Sequence, residues 1–193
     1  MKKIFLTNII LFIFCNCSSL NSDKSNLNNT EINLLNEFLK QELNRNIYSI
    51  SPYDSIIIIK DATPKKQIIE DYESFGIKKK LFDSLTFLKI KKELNNETIY
   101  YFKPSDFKDK RIILKTKQEF RTSIKNHEFL KKSKELVFYL STPFFIDKNT
   151  ALITVVSGNG QLGFNLIDSG VILMKKNKQN KWIAEKNLGS RYY

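Results

Sequence analysis

The spacing of apolar and polar positions changes several times along this chain, and each change predicts an element. Met1-Lys2-Lys3 precedes an apolar run from Ile4 to Phe14, which ends at Cys15-Asn16-Cys17. A positive start followed by about 11 apolar residues is the pattern of an export signal, and it falls short of the roughly 20 residues that a spanning helix needs. Residues 1–16 are therefore expected to be a signal peptide. Ser18 to Asn29 are rich in Ser and Asn and lack an apolar period, so residues 17–29 read as a flexible tether. Such a coil has a root-mean-square reach on the order of 20 Å. Residues 30–193 then suit one domain, and they carry no repeat and no domain linker.

Within that body, Thr30 is placed to cap a helix whose inward face holds Ile32, Leu35, Phe38, Leu39 and Leu43. Ser55-Ile56-Ile57-Ile58-Ile59 is β-branched, short and bounded by Lys60-Asp61, which predicts a central strand. Thr63-Pro64 predicts a helix start, with Ile68, Ile69, Tyr72 and Phe75 inward and Gly76 as the stop. Residues 78–95 fit either a helix through Leu81, Phe82, Leu85 and Leu88 or a strand over 85–90. Strands are expected over 98–102 and 111–116, and a helix over 120–134 with Phe120 and Ile124 inward. Four further strands are expected over 136–140, 151–157, 170–174 and 182–184, forming an antiparallel meander. Helices come early and strands late, so the expected class is α+β, with N-terminal helices covering one face of a largely antiparallel sheet.

Composition adds an address. Cys15 and Cys17 are the two cysteines of the whole chain, and an exported body without further cysteines holds its fold by packing alone. The net charge of +12 admits attraction to anionic lipid, acidic polymers or nucleic acid. It also admits plain composition bias, since Lys, Asn, Ile, Phe and Tyr are abundant throughout. Lys far outnumbers Arg, the better phosphate reader, and a nucleic-acid partner is not expected.

The cysteines at the end of the apolar run resemble the lipobox of bacterial lipoproteins, which makes Cys17 the residue that would carry the lipid. Asn16 and Phe14 depart from that pattern, and ordinary cleavage after Ser19 is the rival reading. The C-terminal third, through Tyr139-Leu140-Ser141-Thr142-Pro143-Phe144-Phe145, Asp147-Lys148, Ala151-Leu152 and Lys175-Lys176 to Lys181-Trp182, resembles small uncharacterised exported lipoproteins of the Bacteroidota type. That resemblance implies a bacterial cell-envelope location, periplasmic or at the cell surface, and a Ser-x-Pro strand, a hairpin and a Lys-rich turn before a Trp strand. It brings no activity with it.

Candidate chemistry is sparse. Gly158-Asn159-Gly160-Gln161-Leu162-Gly163 matches a dinucleotide-binding expression, but Phe164 to Gly170 shows no helical period to open beneath a phosphate, so a hairpin or a wide loop that needs positive φ is expected instead. His127 is the one histidine; it has no second His or Cys for zinc and no Gly-x-Ser-x-Gly elbow to serve, and no metal or cofactor is expected. Asp54, Asp61, Asp147 and Asp168 are loop acids, read as turn formers or as the carboxylates of a glycan-active hydrolase. Arg111, Lys115, Lys117, Arg121 and Lys125 make a basic stretch that Glu119, Glu128 and three other acids dilute. Ser141-Thr142-Pro143 is expected to interrupt a strand at an edge, and Trp182 to anchor the core. Asn159, Gln161 and Asn165 are the candidate recognition loop. The expected function is a non-enzymatic binding or interaction module, tethered to the membrane by its lipid and engaging an envelope protein or a glycan. A hydrolase and an inhibitor or immunity-type protein are the alternatives.

Overall fold

Four consecutive isoleucines, Ile56 to Ile59, cannot place half their side chains in water without a large loss of apolar burial, so the strand that carries them must be covered on both faces. In the computed structural model, which describes residues 26–45, 55–74, 83–95, 97–126, 135–159 and 165–188, all four are fully buried. This strand is β1 (Ser55–Ile59). It pairs in parallel with β2 (Ile112–Lys115) on one side and with β3 (Glu135–Leu140) on the other. The sheet continues antiparallel through β5 (Thr150–Asn159), β6 (Asn165–Lys176) and β7 (Trp182–Asn187), while β4 (Phe144–Asp147) pairs with β5. The order β2-β1-β3-β5-β6-β7 gives a largely antiparallel mixed sheet in an α+β fold, with the expected meander at its C-terminal end.

The helices divide between the two faces. On one face, α1 (Asn29–Leu43) buries Leu34, Leu35, Phe38 and Leu39 against Ile56, Ile58, Leu136, Phe138, Ile153, Ile172 and Met174. On the other, α4 (Lys117–Lys125) sets Phe120 on Ile57, Ile59 and Val137. Beside it, Ile68 of α2 (Lys66–Ser74) packs with Leu152, Val171 and Leu173, joined by Phe87 and Ile90 of α3 (Ser84–Leu94). Coverage of one face was the expectation; both are covered, because β1 is apolar at every position rather than at alternate ones.

Several expected boundaries shift. Asn28, not Thr30, caps α1: its Oδ1 accepts from Thr30 N–H and Glu31 N–H, and the Glu31 carboxylate accepts from Asn28 N–H. Leu27, assigned by composition to the tether, is 6% exposed and belongs to the core. α2 begins at Lys66 rather than at Pro64, since Thr63 is still bridged to Ser141. Residues 84–94 are helical, but Phe87 and Ile90 turn inward while Leu85 and Leu88 face water. Residues 98–102 form no strand; they are extended and make one bridge, Asp61 to Tyr101. α4 starts at Lys117 on a Thr116 cap, ahead of the expected Phe120. The inward positions expected at Phe75, Leu81 and Phe82, the stop at Gly76 and the helix over 127–134 lie outside the described residues.

Ser141-Thr142-Pro143 does interrupt a strand, but inside the sheet rather than at its edge, since β3 lies between β1 and β5 and Ser141 is bridged to Thr63. β3 and β4 lie along the same edge of β5, and between them Ser141 Oγ accepts the Thr154 N–H at 2.9 Å while Ser141 N–H donates to Thr154 O. A hydroxyl thus replaces a ladder carbonyl next to Pro143, which has no N–H to give. Trp182 is 1% exposed and meets Phe145 edge to face at 5.9 Å, with the Lys176 ammonium 5.0 Å from its ring centre. The opening of β7 is fixed by Gln41 of α1, whose side chain donates to Trp182 O and accepts from Ala184 N–H.

Two buried polar atoms in this core have no hydrogen-bond partner, Trp182 Nε1 and Thr154 Oγ1. Removing an unpaired buried donor while keeping its volume costs little, whereas emptying the site does not. Trp182→Ala is expected to lower unfolding free energy by about 3–5 kcal/mol and Trp182→Phe by far less. Thr154→Val is expected to be neutral or to stabilise by about 1 kcal/mol. Urea titration of the three variants measures this.

Candidate functional site

The expected recognition loop connects two paired strands. Asn159 closes β5 directly opposite Asn165, which opens β6, so the glycine motif lies in a hairpin connection and no helix follows it. This is why it cannot cradle a phosphate: the helix N-terminus that would face the anion is replaced by a strand. Gln161 lies outside the described residues, as do Cys17, Asp54 and His127. Asn159 Oδ1 is buried and accepts no hydrogen bond.

Just inside that hairpin, β6 carries an extra residue. Ser157 opposes Asp168 and Gly158 opposes Leu166, leaving Ile167 unpaired as a bulge. Bulges re-aim side chains. Here Ile167 packs into the α1-side core, and Asp168 also turns toward α1, where its carboxylate meets Arg45 Nη1 at 2.6 Å. The same Arg45 nitrogen bonds Glu42, whose side chain is almost fully buried. Burial works against the Arg45 charge, but hydrogen bonds and attraction from Asp168 and Glu42 outweigh it and hold the guanidinium above its ordinary range. Periodicity alone did not reveal this cluster, because Arg45 lies past the end of the helix and the bulge is invisible in an alternating pattern.

The other place where an α/β arrangement offers a ligand site is the carboxyl ends of the parallel strands. Two helix N-termini open there, and the chain fills both with its own carboxylates. Asp61, just past β1, accepts the Lys117 N–H at the start of α4 at 3.0 Å. Glu97 accepts the Lys66 N–H at the start of α2 at 3.2 Å; burial raises its pKa, which Lys65 and Lys66 partly offset. An incoming anion would have to displace a tethered one. Asp147 serves a turn, accepting the Asn149 N–H at 2.6 Å. Of the acids expected in loops, Asp147 and Asp168 lie instead within β4 and β6, and Asp61, Asp147 and Asp168 are engaged as a cap, a turn former and an ion-pair partner. Among the described residues no three His, Cys, Asp or Glu side chains converge as a metal site would require.

A third polar centre lies beneath α1. Asp106, 3% exposed, accepts the Tyr100 O–H at 3.0 Å and the Lys103 N–H at 2.8 Å. Burial and the Asp106 charge push the Tyr100 pKa up to about 12. Asn36 of α1 donates to Asp106 O and accepts from Lys108 N–H, which fixes the loop ahead of β2 to the helix.

No protein-family model matches this chain, and neither do curated proteins or solved structures.

Arg45→Ala leaves the Asp168 carboxylate without its guanidinium; because Arg45 is itself 39% exposed, the expected loss is about 1–2 kcal/mol of unfolding free energy by urea titration. Tyr100 gives a pH signature. A folded pKa raised from 10.0 to about 12 means that the O–H bond contributes fully below pH 10 and is lost as pH rises through about 12. Tyr100→Phe should therefore melt lower than the parent at neutral pH, with the gap narrowing above pH 10.

Proposed function

We propose that this chain is a bacterial envelope lipoprotein, exported by residues 1–16, tethered to a membrane through Cys17, and carrying a non-enzymatic recognition module. The address rests on the Lys-Lys start, the short apolar run and the cysteine at its end. It also draws on the resemblance of the C-terminal third to exported lipoproteins of the Bacteroidota type. Among the described residues no helix is long and apolar enough to cross a membrane, so residence there would depend on the acyl chains, each buried methylene adding about 0.8 kcal/mol.

The observation that carries the recognition half is the engagement of the described loop acids. Asp61, Asp147 and Asp168 each hold a backbone amide or a guanidinium, while the β5–β6 end keeps a buried acceptor, Asn159 Oδ1, with no partner among the described residues. An unfilled acceptor two residues along β5 from the Ser157–Asp168 pair offers a hydrogen bond that an envelope protein or a glycan would complete. A hydrolase has weaker support: Glu97 is the acid with a raised pKa, and it is engaged at the start of α2.

Intact mass and membrane fractionation of the natively expressed chain, beside Cys17→Ser, test the anchor. The expected result is an acylated chain beginning at Cys17 in the membrane fraction, with the variant unmodified and released. An unmodified soluble chain beginning at Leu20 would overturn it. Asn159→Ala, which leaves the fold intact in this reading, is expected to melt within about 0.5 kcal/mol of the parent, since the acceptor it removes has no partner.

A further inference from the structure

In the sequence, the basic stretch from Arg111 to Lys125 is diluted by acids, but among the described residues, which leave out Glu128, the fold separates the two signs. Asp106 is buried beneath α1, and Asp109 is held by Arg111 at 2.7 Å. Glu135 is buried at the opposite end of the parallel strands, at the start of β3. Glu119 stays at the surface, but its carboxylate is folded back onto the Thr116 N–H at 2.6 Å. The cations do not follow them. Lys117, Arg121 and Lys125 recur at four-residue spacing along α4, and among the described residues their side chains have no ion-pair partner; Lys60 and Lys115 attract the Glu119 carboxylate without forming a direct ion pair with it.

The same face carries exposed apolar side chains. Ile112 and Leu114 of β2 turn toward the α1-side core, so Ile113 between them turns to the α4 side, where it is 45% exposed. Tyr101, bridged to the Asp61 that caps α4, is 52% exposed. Exposed apolar groups framed by the α4 cations match a bilayer surface bearing anionic head groups, where the cations meet phosphates and the apolar groups enter the interface. The described chain starts at Asn26, which is bonded by Lys103 Nζ, and the loop from Lys103 leads through exposed Lys108 and Lys110 directly into β2.

We propose that the α4–β2 face, built from Lys115, Lys117, Arg121 and Lys125 with Tyr101 and Ile113, docks the body onto an anionic membrane surface. This rests on the reading of a membrane-tethered body and adds its orientation: the β2 edge lies against the lipid, and the β6–β7 edge points away. The face acts through its own charges, so it is testable with no acyl chain present.

The experiment is co-sedimentation of the Cys17→Ser chain with phosphatidylcholine vesicles and with vesicles doped with phosphatidylglycerol, at low and high salt. Binding is expected with the anionic vesicles at low salt. The triple variant Lys117→Gln, Arg121→Gln, Lys125→Gln should lose about a hundredfold in partition, at roughly fivefold per charge. A control triple, Lys148→Gln, Lys178→Gln, Lys181→Gln, removes the same charge from the β4–β5 and β6–β7 turns and should lose only about twofold, being screened from the surface. Lys117→Arg with Lys125→Arg should retain binding, and Tyr101→Ser with Ile113→Ser should remove the part that survives high salt. Circular dichroism and melting confirm that each variant is folded. Equal losses in both glutamine triples would assign the binding to net charge and overturn the proposal, as would no vesicle binding by the parent. Loss of binding to a DNA duplex, with vesicle binding intact, would make nucleic acid the occupant and overturn it as well. None of these outcomes depends on whether Cys17 is acylated in the cell, which the mass measurement decides separately.

Discussion

The burial of β1 on both faces is the constraint from which the rest of the structure follows. A strand of isoleucines has no polar side to give to water, so it must sit inside a sheet with a helix above and a helix below. Parallel pairing on both sides meets that need, because each return to a parallel neighbour requires a crossover long enough to carry helices. The passage from β1 to β2 brings α2 and α3, and the passage from β2 to β3 brings α4. With α1 on the opposite face, Ile56 and Ile58 belong to one core cluster and Ile57 and Ile59 to another. The antiparallel meander then extends the sheet from β3, and Trp182 seals its far edge against α1 through Gln41.

The central place of β1 was legible in the sequence, though not the cover on its second face, and so were the inward face of α1 and the C-terminal meander; β4 and the full length of β6 were not. Other features were hidden for identifiable reasons. Helix starts moved because hydroxyl and amide residues cluster there; Asn28 competes with Thr30 as a cap, and only the reciprocal Glu31 bond decides between them. Leu85 and Leu88 share a helical face with each other but not with Phe87 and Ile90, and periodicity cannot say which of two apolar faces the sheet will accept. Both faces of the sheet are covered although strands dominate the C-terminal half, because strand order is not a local property. The Arg45–Asp168 clasp depends on a bulge, and a bulge breaks the alternation by which strands are recognised.

Charge shows the same gap between composition and placement. The sequence interleaves acids and bases, and a linear reading cancels them. In the fold, carboxylates are drawn to backbone N–H groups at helix starts, turns and caps, because a fixed donor stabilises an anion and the helix dipole adds to it. Lysine has no acceptor to offer and extends into water. Asp61, Asp106, Glu97 and Glu119 each take a backbone amide, while Lys60, Lys117, Arg121 and Lys125 remain outside. A chain of net charge +12 thus acquires, among the described residues, a basic α4–β2 face. Among the described residues, Asp61 and Asp147 hold backbone amides and Asp168 holds Arg45.

The role of β1 as the pivot is open to a direct reading by native-state hydrogen exchange. If the sheet depends on it, the amides of Ile57, Ile58 and Ile59 are expected to exchange only through global unfolding, with a free energy equal to that from denaturant titration. Exchange of β1 through a lower-energy opening, while Ile153, Val155 and Ile172 in the meander stay protected, would contradict it. In that case the meander would stand by itself, and the parallel strands would be an addition to it rather than its centre.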